Sequence, residues 1–195
     1  MIHESHPTVL IVPGLRDHVA GHWQTLLEAR LRAAGRKVAG VAPMGRTELE
    51  CAAKVAAIEE SVQSIDGPIV LVAHSGGCVM VAHWAAQTAH ADRIRGALLA
   101  TPPDFEQPMP QGYPTLEALR AGGWLPVPRA ALPFRSIVGA SHDDPLSSFA
   151  QAATLARAWG SELVDLGEVG HLNPASGFGD WPRADAFIQQ LSNAR

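Results

Sequence analysis

Three polar residues with the chemistry of nucleophilic catalysis stand in separate short motifs of this sequence. Ser75 lies within AHSGG, Asp144 within SHDDP and His171 within EVGHLNP. A serine hydroxyl attacks a carbonyl carbon efficiently when a histidine accepts its proton and a carboxylate orients that histidine. This set of residue types therefore indicates acyl transfer to Ser75, with His171 as the base. Either Asp143 or Asp144 could supply the carboxylate.

Each of these residues also has a plainer interpretation. A serine among small residues is common in turns, and a histidine in a loop is often only a surface residue. Asp144 before Pro145 is typical of a helix N-cap with proline at the first helical position. The combination favours catalysis, because all three residues follow predicted strands and occur in the order Ser, Asp, His.

Apolar runs alternate with helical patterns along the chain. The apolar runs predict strands at 8–14, 37–43, 68–73, 94–101, 134–140 and 162–167. The helical patterns predict helices at 22–35, 47–65, 76–88, 115–123, 145–159 and 182–193. This alternation builds βαβ units, so we expect a three-layer α/β fold with a mostly parallel sheet of about six strands and helices on both faces. Ligands of such sheets bind outside the carboxyl ends of the strands, where the three polar residues lie.

Ser75 stands between the predicted strand 68–73 and the predicted helix 76–88. A nucleophile at such a sharp corner needs small residues two positions before and after it, and Ala73 and Gly77 meet that need. The amino end of the following helix offers free N–H groups and a partial positive charge, both of which stabilise an oxyanion. The sequence therefore predicts a nucleophile elbow at Ser75.

An oxyanion hole needs two N–H donors. The first is expected from Gly76, directly after the nucleophile. The second should come from the loop after the first strand, PGLRDH, where Leu15 is favoured and Arg16 is the alternative. Arg16 could instead contact an acidic group of a substrate or be a solvated surface arginine.

The longest irregular segment, 101–114, follows the fourth predicted strand and should border the site. It is too short for a helical lid, which predicts an open site. The candidate walls of the substrate pocket are Arg16, Trp23, His74, Phe105, Met109 and Tyr113. Trp23 could also be a packing residue at the start of its helix, and His74 should point away from Ser75 across the elbow.

The order of several motifs is similar to that of a known family. The motifs are VPG followed by HWQ, then AHSGG, SHDDP, GH and GFGDWP. Over nearly its whole length the chain resembles the small, lidless α/β-hydrolases related to retinoblastoma-binding protein nine and the bacterial YdeN-like proteins. The resemblance implies a single α/β-hydrolase domain over residues 1–195, with no cap domain. It also implies that the acid is Asp144, the aspartate directly before proline.

These observations predict a serine hydrolase that cleaves a small carboxylic ester or amide through an acyl-enzyme on Ser75. The alternative is a non-catalytic protein-binding module on a hydrolase scaffold. The human namesake of the family binds its partner through a Leu-x-Cys-x-Glu segment. The corresponding LECAA (49–53) has Ala53 where the glutamate is needed, so retinoblastoma-type partner binding is not expected.

Composition and charge argue against several other classes of protein. The chain has 195 residues, of which 47% are hydrophobic and 17% charged, as in folded globular domains. A formal net charge of −4 and the lack of a basic run predict neither a nucleic-acid nor a membrane partner. The first residues lack the basic segment and cleavage site of a signal peptide, and no apolar run approaches the roughly 20 residues of a membrane span. A cytoplasmic location is therefore expected.

The nine histidines raise the question of a metal. His18 and His22 have a ligand spacing, but HVAGH lacks the glutamate that a metalloprotease uses as its base. Cys51 and Cys78 are expected to be buried free thiols. No metal and no cofactor are therefore expected, and the sequence does not indicate an oligomeric state.

Overall fold

The apolar runs of the sequence form the strands of a parallel sheet. The computed structural model of the chain describes residues 6–193, and within that range six strands pair in the order β2-β1-β3-β4-β5-β6, every pair parallel. The strands are β1 (Thr8–Val12), β2 (Val38–Gly40), β3 (Ile69–His74), β4 (Ile94–Ala100), β5 (Ser136–Ala140) and β6 (Glu162–Asp165). The predicted sheet is confirmed, although most strands are shorter than the apolar runs that predicted them.

Helices cover both faces of this sheet and complete the three predicted layers. They are α1 (Trp23–Ala33), α2 (Cys51–Ser64), α3 (Gly76–Ala85), α4 (Leu116–Ala121), α5 (Phe149–Trp159) and α6 (Arg183–Ser192). Apolar side chains of α2, α3 and α5 pack on one face, and those of α1 and α6 pack on the other. Both faces of the central strands are thus buried, which explains why their sequences are apolar without interruption.

The second helix begins later than predicted. The capping-box spacing of Thr47 and Glu50 predicts a start at residue 47, but α2 begins at Cys51. Glu50 occupies the N-cap position without a side-chain cap, and the carboxylate of Glu48 accepts its N–H at 2.7 Å. The capping-box assignment is therefore wrong, because a local turn takes up the residues that should have formed the first helical turn.

The fifth helix also begins later than predicted, at Phe149 and not at Pro145. Its N-cap is Ser148, whose hydroxyl accepts the N–H of Gln151 at 3.1 Å. The interpretation of Asp144 as a helix N-cap is therefore wrong. Its Oδ1 does accept the N–H of Leu146 at 2.9 Å, but this contact closes a local turn in the loop that follows β5.

The strand order reverses direction between β1 and β3, because the chain leaves β1 towards one edge of the sheet and builds the rest towards the other. The segments after these two strands consequently meet, and a Cβ placed on Gly14 would lie 3.2 Å from the Cβ of Ser75. Such a reversal point is where open α/β sheets form their binding crevices.

The rim of the sheet above this point is uncovered. Within residues 6–193 no cap domain stands over it, and segment 101–114 contains no helix. The same described range holds no helix that is long and apolar enough to cross a membrane. The predicted lack of a signal peptide concerns residues 1–5 in part, which lie outside the described residues.

Candidate active site

Ser75 occupies a backbone conformation that residues other than glycine rarely adopt, with φ 55° and ψ −130°. The chain can turn this sharply only because its neighbours are small. A Cβ on Gly77 would lie 2.6 Å from the carbonyl oxygen of Val12 and 2.7 Å from that of Pro13, and neither backbone oxygen can move away cheaply. The strain and the small neighbours are typical of a nucleophile elbow, and non-glycine strain of this kind concentrates at functional sites.

A continuous hydrogen-bonded chain joins Ser75 to a histidine and a carboxylate. The Nε2 of His171 lies 2.8 Å from the Oγ of Ser75, and its Nδ1 lies 2.9 Å from both carboxylate oxygens of Asp144. The side chains of His171 and Asp144 are each only 3% exposed. Since a carboxylate can only accept, the Nδ1 of His171 carries the proton and Nε2 is left to accept the proton of the serine.

The loop after β6 holds His171 in this orientation. Gly170 has φ 56°, and a Cβ there would lie 2.5 Å from the side chain of Ser176. The hydroxyl of Ser176 accepts the N–H of His171 at 3.0 Å. Glycine is therefore required at position 170 both for its backbone conformation and for the close approach of Ser176.

Asp143, the other carboxylate considered from the sequence, has different partners. It accepts the hydroxyl of Ser141 at 2.8 Å and the N–H of Gly170 at 2.7 Å. These two hydrogen bonds, that of Ser141 first, lower the pKa of Asp143 below its usual range. Asp143 thus fastens the loop that carries His171, whereas Asp144 contacts the imidazole itself.

Backbone N–H groups beside the serine have no hydrogen-bond partners in the described part of the chain. The N–H of Asp17 donates to the carbonyl of Gly14 at 3.1 Å, which closes a turn with Leu15 and Arg16 at its two central positions. Central N–H groups of such turns point outward, and among the described residues neither these two nor the N–H of Gly76 has a hydrogen-bond partner. Both predicted sources of the second oxyanion donor, Leu15 and Arg16, therefore remain available.

Two further histidines near the site are neutral at pH 7. The Nε2–H of His74 donates to the carbonyl of His171 at 2.8 Å, and burial lowers the pKa of His74 well below its ordinary value, with His171 and His22 adding to the effect. His22 caps α1 by accepting the N–H of Gln24 at 3.2 Å. Burial, then the proximity of His171 and His18, lowers the pKa of His22 to about 4.

A cavity of about 520 Å³ opens above Ser75. Five of the six predicted wall residues line it: Arg16, His74, Phe105, Met109 and Tyr113. Trp23 does not, so this prediction is wrong. Its side chain is wholly buried in the core on the face of the sheet that α1 and α6 cover, and its ring packs edge-on against Trp181 with centroids 4.9 Å apart.

Several residues of the cavity were not predicted from the sequence. Arg46, Leu49, Asn173, Pro174 and Ala175 line it together with the predicted residues. Leu49 precedes α2 and lies in the cavity, although the helix predicted over 47–65 would have included it. The amide of Gln24 donates to the carbonyls of Val12 and Val72 at 3.0 Å each, which ties the ends of β1 and β3 together.

Arg16 is held in place at the mouth of this cavity. Its guanidinium lies over the ring of Tyr113, 4.5 Å from the centroid, and donates to the carbonyl of Gly112 at 2.9 Å. These contacts tie the loop after β1 to segment 101–114. Among residues 6–193, no group of three or more histidine, cysteine, aspartate or glutamate side chains is arranged so that it could hold a metal ion.

Residues 6–193 form an α/β-hydrolase fold, and no cap domain occurs among them. The marks of this fold are the parallel sheet, the strained serine between β3 and α3, and the rim that carries the histidine and the acid. The chain belongs to the serine hydrolase family, whose model matches residues 9–190. Its similarity to YdeN-like hydrolases, expected from the motifs, is confirmed by solved structures.

A structure described as a YdeN-like hydrolase from Pectobacterium atrosepticum is 29% identical, with a TM-score of 0.78 over 96% of this chain and 93% of that one. The ydeN gene product of B. subtilis is 19% identical, with a TM-score of 0.70 over 95% of this chain and 98% of that one. Est1E of Butyrivibrio proteoclasticus, solved with ferulic acid bound, is 13% identical, with a TM-score of 0.67 over 95% of this chain and 86% of that one. No curated protein sequence matched the chain.

Proposed function

We propose that this hydrolase cleaves a small carboxylic ester or amide through an acyl-enzyme on Ser75, with His171 as general base and Asp144 as the orienting acid. The observation that carries the proposal is the hydrogen-bonded chain from Asp144 through His171 to a strained serine at the floor of a cavity. The three groups have the mutual distances that proton transfer in acyl transfer requires.

In the proposed reaction, Nε2 of His171 takes the proton of Ser75 as Oγ attacks the carbonyl carbon. The negative charge that forms on the carbonyl oxygen is stabilised by the N–H of Gly76 and by a second N–H, from Leu15 or Arg16. His171 then gives its proton to the departing alcohol or amine, which leaves an acyl-enzyme. Water, deprotonated by His171, attacks the acyl group and regenerates Ser75.

The walls of the cavity support a small, partly apolar acyl group. Leu15, Phe105 and Met109 present apolar surface, and the absence of a helical lid in the described range leaves the mouth open. A cavity of about 520 Å³ is within the usual size of small-molecule sites. The proposed mechanism uses protein groups and water, so it needs no cofactor.

We also propose a cytoplasmic location and a single domain. Both cysteines, Cys51 and Cys78, are buried free thiols in the structure, as is usual in a reducing compartment. The family match extends over residues 9–190, which leaves little of the chain for a further unit.

The test is hydrolysis of a panel of p-nitrophenyl esters with acyl chains of increasing length, together with aminoacyl amides, by the wild type and by Ser75→Ala. We expect the wild type to release product from short esters, and Ser75→Ala to lose about 10³–10⁶ in kcat while keeping its circular dichroism spectrum. A wild type that binds these compounds and hydrolyses none would favour a binding module on a hydrolase scaffold.

A further inference from the structure

Lys54 is a buried cation whose position is not explained by packing. The chain has two lysines, and Lys37 is exposed while the side chain of Lys54 is only 4% exposed. The Nζ of Lys54 has no hydrogen-bond partner in the described part of the chain. A buried ammonium without hydrogen bonds costs free energy, and a buried ion pair can often be replaced as a pair by apolar side chains without loss of stability.

The neighbours of Lys54 on the same helix make this cost clear. The other side chains that α2 buries are those of Cys51, Val55, Ile58 and Val62, none of them charged. A methionine or leucine would continue this apolar face. Something other than the stability of the helix therefore accounts for the lysine.

The ion-pair partner of Lys54 belongs to the loop that presents the oxyanion donors. The Nζ of Lys54 lies 3.8 Å from Oδ1 of Asp17, whose side chain is 14% exposed. Asp17 is the last residue of the turn that begins at Gly14, and it lines the cavity. It also has φ 55°, a conformation that costs a non-glycine residue free energy and persists only when its surroundings hold it.

The carboxylate of Asp17 fastens the turn to a second segment. It accepts the N–H of Gly45 at 2.6 Å and that of Met44 at 3.4 Å, both in the loop between β2 and α2. Lys54 thus lies behind a carboxylate that holds together the end of the turn and the loop before α2. Without the cation, this carboxylate would be left largely buried with one short hydrogen bond and one long one.

We propose that Lys54 is a positioning residue, which through Asp17 fixes the Gly14–Asp17 turn so that the N–H of Leu15 or Arg16 points at the developing oxyanion. This inference rests on the proposed function, since it assigns Lys54 to the same oxyanion hole. A correctly placed N–H donor stabilises the transition state, in which the oxyanion exists. The contribution of Lys54 should therefore appear in kcat, while the binding of the uncharged substrate stays almost unchanged.

The experiment compares Lys54→Met with Lys37→Met, which changes the other, exposed lysine in the same way. For Lys54→Met we expect kcat for a p-nitrophenyl ester to fall about 10- to 100-fold while KM changes less than about threefold, because a donor is misplaced and not removed. The melting temperature of Lys54→Met should fall, because the largely buried carboxylate of Asp17 loses its cation, so kcat and KM are measured well below that temperature. Lys37→Met should match the wild type in kcat and in KM.

A trifluoromethyl ketone provides a readout that a merely structural role would not change. Its adduct with the serine places a negative oxygen in the oxyanion hole, so its inhibition constant should rise for Lys54→Met by the same factor by which kcat falls. Asp17→Asn is a second variant, in the loop and not in a helix, and should show the same pattern. The double variant should lose little more than either single one, because both act on one turn.

Wild-type kcat and wild-type inhibition in Lys54→Met would overturn the proposal while leaving the hydrolase intact. A rise in KM larger than the fall in kcat would also overturn it, because it would show a general change in the shape of the cavity and not a misplaced oxyanion donor. A wild type that neither hydrolyses esters nor binds the ketone would instead refute the proposed function, and this inference with it.

Discussion

Asp143→Asn and Asp144→Asn exchange adjacent carboxylates for amides of nearly equal size, yet the structure predicts very different effects. Both carboxylate oxygens of Asp144 lie 2.9 Å from Nδ1 of His171, whereas the partners of Asp143 are Ser141 and Gly170. An asparagine at 144 can turn its NH2 towards His171 and thereby favour the tautomer whose Nε2 carries the proton. That tautomer cannot accept the proton of the serine.

The expected loss for Asp144→Asn is about 10³–10⁴ in kcat, which corresponds to about 4–5.5 kcal/mol of transition-state stabilisation. Asp143→Asn should cost less than about tenfold, because its amide oxygen can still accept the hydrogen bonds of Ser141 and Gly170. The assay is the initial rate of p-nitrophenyl ester hydrolysis at saturating substrate, with circular dichroism of both variants as the control for folding. Near-normal activity of Asp144→Asn beside an inactive Asp143→Asn would refute this reasoning.

Two further predictions concern stability. Folding lowers the pKa of His22 to about 4, so the imidazole of the unfolded chain binds a proton more readily than that of the folded chain. The contribution of neutral His22 to the free energy of unfolding is therefore complete above about pH 6.5 and is lost as the pH falls towards 4. Between pH 7 and pH 5 the free energy of unfolding, measured in urea, should fall by about 1–2 kcal/mol more for the wild type than for His22→Asn, which keeps an N-cap side chain. If the two proteins lost the same amount over this pH range, the prediction would be contradicted. Gly77→Ala should lower the unfolding free energy by about 1–3 kcal/mol and also reduce kcat, since its Cβ would meet backbone oxygens at 2.6 and 2.7 Å. Gly179→Ala, where a Cβ would meet no atom within 4 Å, is the matched control, and equal stability of the two variants would count against the steric argument.

The sheet and the positions of its helices could be predicted because burial leaves a simple pattern. Strands covered on both faces are apolar throughout, and the helices between them repeat apolar residues at helical spacing. The first residues of the helices were harder to predict. The pairs Thr47 with Glu50 and Asp144 with Pro145 have the local form of caps, but the structure forms short turns in which Glu48 accepts the N–H of Glu50 and Asp144 that of Leu146. Turns and N-caps use the same side-chain hydrogen bonds to nearby backbone, so the sequence alone does not distinguish them.

The proximity of Ser75, Asp144 and His171 could be anticipated for a general reason, namely that each follows a strand of one parallel sheet. The walls of the cavity were only partly predictable. Trp23 and Gln24 are adjacent, yet Trp23 packs in the core, whereas Gln24 forms hydrogen bonds to two strands. Which of the two faces the cavity depends on the rotation of α1.

The ion pair of Lys54 with Asp17 lay beyond sequence reasoning altogether. Periodicity places Lys54 on a helix, but the packing of α2 against the loop after β1 decides whether a lysine is buried. The one visible signal was its charge among the apolar residues of AAKVAAI.

The central claim, that Ser75 is an activated nucleophile, is tested most directly by an alkyl fluorophosphonate. Such a compound reacts with a serine whose hydroxyl is deprotonated by an adjacent base, and fluoride leaves as the Oγ–P bond forms. Intact-mass analysis followed by peptide mapping should find one adduct on the wild type, on Ser75, and none on Ser75→Ala. An unlabelled wild type, or an adduct that persists on Ser75→Ala, would contradict the account.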